Sequence, residues 1–192
     1  MATTNSTRGW PLFLAIAAAA AAVDLISKRW IFSTLGMPGT SPPIQLVPGV
    51  LVLETSLNEG ALFGMGQGMG VIFATVSVAA IAGIVALVSR PSTREDRWVL
   101  VALGMIVGGI IGNLFDRLGL AGLTWPAATG REGQAVLAVR DWIHFTIPRL
   151  LDWPIFNFAD SWLVIGAAML LISSFFDTRP LDEEPPPRRA TP

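Results

Sequence analysis

The sequence has no cysteine and no tyrosine, and its one histidine is His144. Without thiols there can be no disulfide, thiol nucleophile or cysteine-held metal. A single histidine does not make the histidine-rich kind of zinc site. Charge is sparse as well. Charged residues are 14% of the chain, the net charge is -1, and Lys28 is its one lysine. So little positive charge excludes a nucleic-acid surface.

What the chain has in quantity is apolar surface. Hydrophobic residues make up 52% of its 192 residues and the mean hydropathy is +0.58, as in a polytopic membrane protein. Four long apolar runs each approach the ~20 residues needed to cross a bilayer as a helix. They predict transmembrane helices over about 10–28, 71–89, 98–117 and 159–177. The first run is alanine-rich, but Asp24 and Lys28 sit where a cleavable leader needs small neutral residues, so it reads as a span. Seven tryptophans punctuate the runs and suit the membrane–water boundary.

Between the spans lie two long polar-mixed segments. The first, about 40–66, is rich in β-branched residues and broken by Pro48, and predicts a small extramembrane β-sheet of short edge strands. The second, about 118–158, reads as an outer-face loop with an amphipathic surface stretch that turns Trp142, Phe145 and Ile147 toward lipid. Within it, 120–139 reads as a surface insertion. The proline-rich tail, 179–192, predicts disorder. The expected fold is therefore all-α and polytopic, one domain over 1–178, with that small sheet and outer segment attached.

Basic residues set the orientation. Arg90, Arg94 and Arg97 crowd the link between the second and third spans, with Arg8 and Arg179, Arg188 and Arg189 on the same side. That side is expected to be cytoplasmic, with both termini. Both long segments then face outward.

The polar residues beside the spans are the candidates for chemistry. Acidic groups at the edge of hydrocarbon are costly and mark function by default. Asp24 and Lys28 are four apart and share a helix face; they form either an ion pair snorkelling at a helix end or a structural pair bracing an active site. Asn113, Asp116 and Arg117 project together from the end of the third span. Gly104, Gly108 and Gly112 give that helix a smooth stripe for close packing. Asn157 and Asp160 share a face at the start of the fourth span, where Asp160 could also serve as a cap or dipole partner. Asp141 could pair with Arg140 or Arg149. Taken together, Asp141 and Asp160 allow a further arrangement. Two carboxylates close together in a dry site share one proton, so that one acts as a base toward water while the other polarises a carbonyl.

Five ordered stretches carry a resemblance. They are Asp24 with Lys28; Asn58-Glu59-Gly60-Ala61-Leu62-Phe63; Gly108-Gly109-Ile110-Ile111-Gly112-Asn113-Leu114-Phe115-Asp116-Arg117; Arg140-Asp141-Trp142-Ile143; and Phe156-Asn157-Phe158-Ala159-Asp160. Together they resemble the lipoprotein signal peptidases, also called type II signal peptidases. The resemblance implies a four-helix enzyme of the bacterial inner membrane. It implies an aspartic endopeptidase that cuts prolipoproteins before a diacylglyceryl-modified cysteine. Asp141 and Asp160 are then the catalytic pair. Asn58, Gly60, Asn113, Arg117, Asn157 and Ala159 bind substrate or orient that pair, and Asp24 and Lys28 support them. The implied partners are lipidated prolipoproteins and membrane phospholipid, with globomycin-type cyclic peptides as inhibitors. No metal and no cofactor is expected. The chain departs from the family in the greater length between Arg117 and Asp141. Asp152 is the competing carboxylate but lacks the flanking pattern.

Two other classes are weighed. A proton-coupled transporter or scaffold could also use paired aspartates, but the chain shows no internal repeat and its polar residues gather at one face. For a serine peptidase, Ser27 and Lys28 are adjacent in sequence and point to different helix faces, and no nucleophile elbow is present.

Overall fold

A computed structural model describes residues 8–60 and 69–176. Ala61, Leu62 and Phe63, the following Gly64, Gly66 and Gly68, and the tail at 179–192 lie outside the described residues.

Among the described residues, four helices are long and apolar enough to cross a membrane: α1 (Trp10–Leu35), α2 (Gly70–Val88), α4 (Arg97–Arg117) and α5 (Phe158–Phe176). A short α3 (Pro91–Glu95) occupies the arginine-rich link. Asp96 starts α4 by accepting hydrogen bonds from the Trp98 and Val99 amides at 2.9 and 3.1 Å, which satisfies two donors the helix leaves open.

Helix α1 runs seven residues past the expected end at 28. Ile31, Phe32 and Leu35 are buried beyond that point. They pack against Leu53 and Trp142 of the sheet. At ~1.5 Å per residue, 26 residues span ~39 Å, more than the hydrocarbon core. The extra turns therefore serve the extramembrane layer. Gly36, at φ 74°, ends the helix with its N–H on the Phe32 carbonyl at 3.1 Å.

Helix α4 is the centre of the bundle, with α1 running parallel on one side and α5 antiparallel on the other. The glycine stripe makes this possible. A methyl at Gly108 would lie 2.5 Å from the Ala20 Cβ and 2.7 Å from the Ala17 carbonyl oxygen. At Gly112 it would lie 2.2 Å from an Asp24 carboxylate oxygen. The same small-residue packing that joins the helices also leaves room for a carboxylate against α4. Most of α2 faces outward, as suits lipid contact.

At one end of the bundle sits a four-stranded antiparallel sheet in the order β1 (Ile44–Val47), β2 (Leu51–Asn58), β3 (Val139–Ile147) and β4 (Leu151–Phe156). Two expectations are corrected here. The 118–158 segment is not a loop with an amphipathic stretch, because it supplies β3 and β4. Trp142 does not face lipid. It is 6% exposed and packs edge-on against Phe158, ring centroids 5.2 Å apart. Val139, Ile143, Thr146 and Ile147 are β-branched and suit a strand, and β2 offers β3 an open edge. For the same reason β2 is an interior strand, not an edge strand.

The 120–139 stretch is only partly a surface insertion. Thr124 bridges Ala135, but Val136, Ala138 and Val139 are buried, and Val139 pairs with Asn58 as the first residue of β3.

Candidate active site

Three elements converge where the sheet meets the bundle. Helix α5 opens with a reciprocal cap. The Asp160 N–H donates to Asn157 Oδ1 at 3.0 Å, and the Asn157 N–H donates to Asp160 Oδ2 at 3.3 Å. This is a capping-box arrangement, and it fixes both side chains at the cavity wall. Strand β3 brings Asp141, 2% exposed, opposite Ser56 of β2. Helix α4 contributes Asn113 and Asp116 from its last turns, with Arg117 at its end.

Asn113 and Asn157 join the two aspartates. Asn157 Nδ2 donates to Asp141 Oδ1 at 2.6 Å and to Asn113 Oδ1 at 3.1 Å, while Asn113 Nδ2 donates to Asp160 Oδ1 at 2.9 Å. The Asn58 side chain also hydrogen-bonds Asp141. Asn113 has no choice of direction. Its oxygen faces the Lys28 ammonium at 2.9 Å, so its NH2 must face Asp160.

Behind this layer lies a buried ion cluster. Lys28 Nζ is 2.7 Å from Asp24 Oδ2 and 3.1 Å from Asp116 Oδ2, and all three side chains are fully buried. Arg140 completes the cluster, with its guanidinium 2.8 Å from Asp116 Oδ1. Two cations thus face two carboxylates, which is the condition for keeping charge in a dry interior. Asp24 Oδ1 also accepts the Ala159 N–H at 2.9 Å. That bond ties α1 to the open first turn of α5.

The snorkelling alternative for Lys28 is therefore excluded, as is a pairing of Asp141 with Arg140. Asp116 and Arg140 were not among the predicted site residues. Asp116 was visible beside Asn113, but its partner lies 24 residues away. Ala159 contributes only its backbone N–H to the cluster, and Gly60 its carbonyl, which accepts a hydrogen bond from Arg117 Nη2 at 3.0 Å. The remaining predicted residues all come together.

Asp141 and Asp160 line one cavity of about 840 Å³ together with Asn58, Asn113 and Arg117. Its other walls are mainly apolar, including Ile110, Leu163 and Val164. Burial, and next to it the nearby Asp160 charge, raise the Asp141 carboxyl to about 7. The Asn157 hydrogen bond, the Lys28 charge and the Asn58 hydrogen bond oppose that shift. The result is a carboxyl that titrates near neutral pH beside a second one, the pattern of acid–base chemistry.

Asp152 does not join the cavity group. It is 81% exposed and its carboxylate accepts a hydrogen bond from His144 Nε2 at 2.7 Å. The other ring nitrogen of His144 meets Glu54. Hydrogen bonding to Asp152 is the main reason the imidazole holds its proton to higher pH than usual.

Comparison with known proteins agrees with this geometry. The family model described as signal peptidase (SPase) II matches residues 16–176. A lipoprotein signal peptidase of Rhodopirellula baltica is 44% identical over 166 residues, 86% of this chain and 72% of that protein. One of Bacillus subtilis is 33% identical over 167 residues, 87% of this chain and 95% of its own length. A solved bacterial membrane enzyme, determined by the in meso method at 2.3 Å, superposes with a TM-score of 0.70 at 25% identity, covering 90% of this chain and 92% of that one. This chain is a multi-pass membrane protein and belongs to the signal peptidase II family.

Proposed function

We propose that the protein is an aspartic endopeptidase that removes signal peptides from prolipoproteins, cutting before a diacylglyceryl-modified cysteine. The observation that carries this reading is the meeting of Asp141 and Asp160 in one largely apolar cavity, with the Asp141 carboxyl raised to about 7.

The chemistry follows from that asymmetry. Asp141 keeps a proton and donates it toward the scissile carbonyl oxygen. Asp160, held by Asn113 and the cap, takes a proton from water as the water oxygen attacks the carbonyl carbon. The tetrahedral adduct then collapses, the C–N bond breaks, and the leaving nitrogen receives a proton from the pair. Apolar walls suit acyl chains on the substrate cysteine. Arg117, whose Nε has no hydrogen-bond partner among the described residues, is placed to meet a substrate carbonyl or ester. Globomycin-type cyclic peptides are expected to compete for the same cavity.

The direct test is cleavage of a lipidated prolipoprotein by purified protein in detergent. Release of the signal peptide, with an unlipidated substrate left uncut, supports the reading. Failure to cut lipidated substrates under any condition ends it.

The pH dependence has a definite sign. Below about 7 the pair holds the proton that Asp141 donates; as pH rises through about 7 that proton is lost. The rate of the chemical step should therefore fall up to roughly tenfold per pH unit on the alkaline side, with an apparent value belonging to the pair. A profile that stays flat from pH 6 to 9 contradicts this division of roles.

The orientation rests on Arg90, Arg94 and Arg97, which stand at the bundle end opposite the sheet. The inner membrane holds the protein with both termini cytoplasmic and the site near the outer face. A reporter that works only outside the cytoplasm should be silent when fused after Val88 or at Pro192, and active near Gly130. The reverse pattern would put the cavity on the wrong side for this substrate.

A further inference from the structure

The hairpin before β3 takes no part in the chemistry above, yet it reaches the site. The Trp125 N–H donates to the Gln134 carbonyl at 2.9 Å and the Gly133 N–H to the Trp125 carbonyl at 3.0 Å. The root is anchored. Leu123 packs on the cluster of Ile31, Phe32, Leu35, Leu53 and Trp142, and Val136 and Ala138 are buried.

Near the hairpin tip, the Arg131 guanidinium lies 3.7 Å from the centroid of the Trp125 ring. Arg131 Nη1 also donates to Glu59 Oε1 at 2.5 Å, across 72 residues of sequence. Glu59 stands between two residues of the cavity region. The Asn58 side chain hydrogen-bonds Asp141, and the Gly60 carbonyl accepts Arg117.

The structure assigns Arg131 a positioning role: from an anchored hairpin it holds Glu59, and so sets the backbone that presents Asn58 to Asp141 and Gly60 to Arg117. Strand β2 ends at Asn58, so the ladder to β3 stops there. Arg117 grips the chain beyond from the bundle side, and Arg131 grips it from the outer side.

An exposed ion pair alone is worth little, because freezing two long side chains offsets the Coulomb gain. Here the Trp125 ring already immobilises the guanidinium, by an attraction of its own. A planar fork held over a ring loses less freedom when it meets a carboxylate than a free lysine does. The pair also acts on backbone next to the site, so a small gain in order is felt at the cavity.

The kinetic half of this inference rests on the peptidase reading; the structural half does not. The test uses the full chain in detergent with Arg131→Gln, Glu59→Gln, the double variant and Arg131→Lys. Amide hydrogen exchange should quicken across 56–60 in each Gln variant, with α4 and α5 unchanged. On a lipidated prolipoprotein, KM should rise roughly 3- to 10-fold with kcat within about twofold. The double variant should be no worse than either single one, and Arg131→Lys, which keeps the charge but not the stacked planar fork, should recover only part of the loss. Unchanged exchange at 56–60, or single effects that multiply in the double variant, would overturn the role. So would a fall in kcat at constant KM. If the unaltered protein cuts no prolipoprotein, the peptidase reading falls, and exchange alone still decides whether Arg131 holds Glu59.

Discussion

Asp141→Asn and Asp160→Asn should each lower turnover of a lipidated prolipoprotein by at least about a thousandfold, while the protein still folds. Asparagine keeps the size of the side chain and its ability to accept a hydrogen bond. At 141 it can still accept from Asn157 Nδ2, which lies 2.6 Å from the native Oδ1. What it cannot do is cycle a proton. Asp152→Asn is the matched control. Its carboxylate is 81% exposed and engaged with His144 on the sheet, so turnover should stay within about twofold. The two dyad variants should not be additive, since either loss disables the pair as a unit. Retained turnover in either variant would remove that residue from the chemistry.

Stability gives an independent check on Asp141. A carboxyl whose folded value is raised from 3.8 to about 7 favours the folded state fully below pH 3.8. That contribution is lost as pH rises to about 7, because ionisation then exposes a buried charge without enough compensation. Asp141→Asn escapes this loss. The variant should therefore be more stable than the native protein at pH 8 by about 2–4 kcal/mol, and should lose that advantage by pH 4. A thermal unfolding series in detergent measures it. An advantage that grows toward low pH would contradict the assignment.

Lys28→Met should be the most damaging change outside the aspartate pair. Lys28 Nζ reaches Asp24, Asp116 and the Asn113 oxygen, at 2.7, 3.1 and 2.9 Å. Methionine leaves two fully buried carboxylates with Arg140 as their remaining cation. Breaking a buried pair by removing one partner costs about 3–5 kcal/mol, mostly the desolvation of the charge left behind. Asn113 also loses the contact that fixes its direction, so Asp160 loses a defined donor and turnover should fall with stability. Adding Asp24→Asn to Lys28→Met removes one of the stranded charges and should return much of the stability. It should not return full turnover, because Asn113 stays unfixed. Unfolding by denaturant or heat in detergent reads the first effect and prolipoprotein cleavage the second. A cost below about 1 kcal/mol for Lys28→Met would mean that the cluster is open to water.

The features readable in the sequence are the local ones. Apolar run length specifies the four spans, because a helix in lipid must satisfy its own backbone over a fixed thickness. Asp24 with Lys28, and Asn157 with Asp160, are legible because helical spacing alone puts such residues on one face. The ordered motifs then identify Asn58, Asn113, Asp141 and Asp160 as candidates. Where α1 ends was not legible, since its last turns are buried by a sheet that does not yet exist along the chain. Nor were β3 and β4. Alternating residues in 139–156 suit a strand only once β2, more than eighty residues earlier, offers an edge. The partner of Arg140 was equally hidden. Sequence places it beside Asp141, but adjacent strand residues point to opposite faces, and the fold turns Arg140 to Asp116 instead. The raised carboxyl of Asp141 is a tertiary property in full: it comes from burial and from a second carboxylate on another element. Periodicity and motif are set within a few residues of chain. Strand partners, ion partners and the polarity around a carboxyl depend on which distant groups exclude water from it, and only the folded chain decides that.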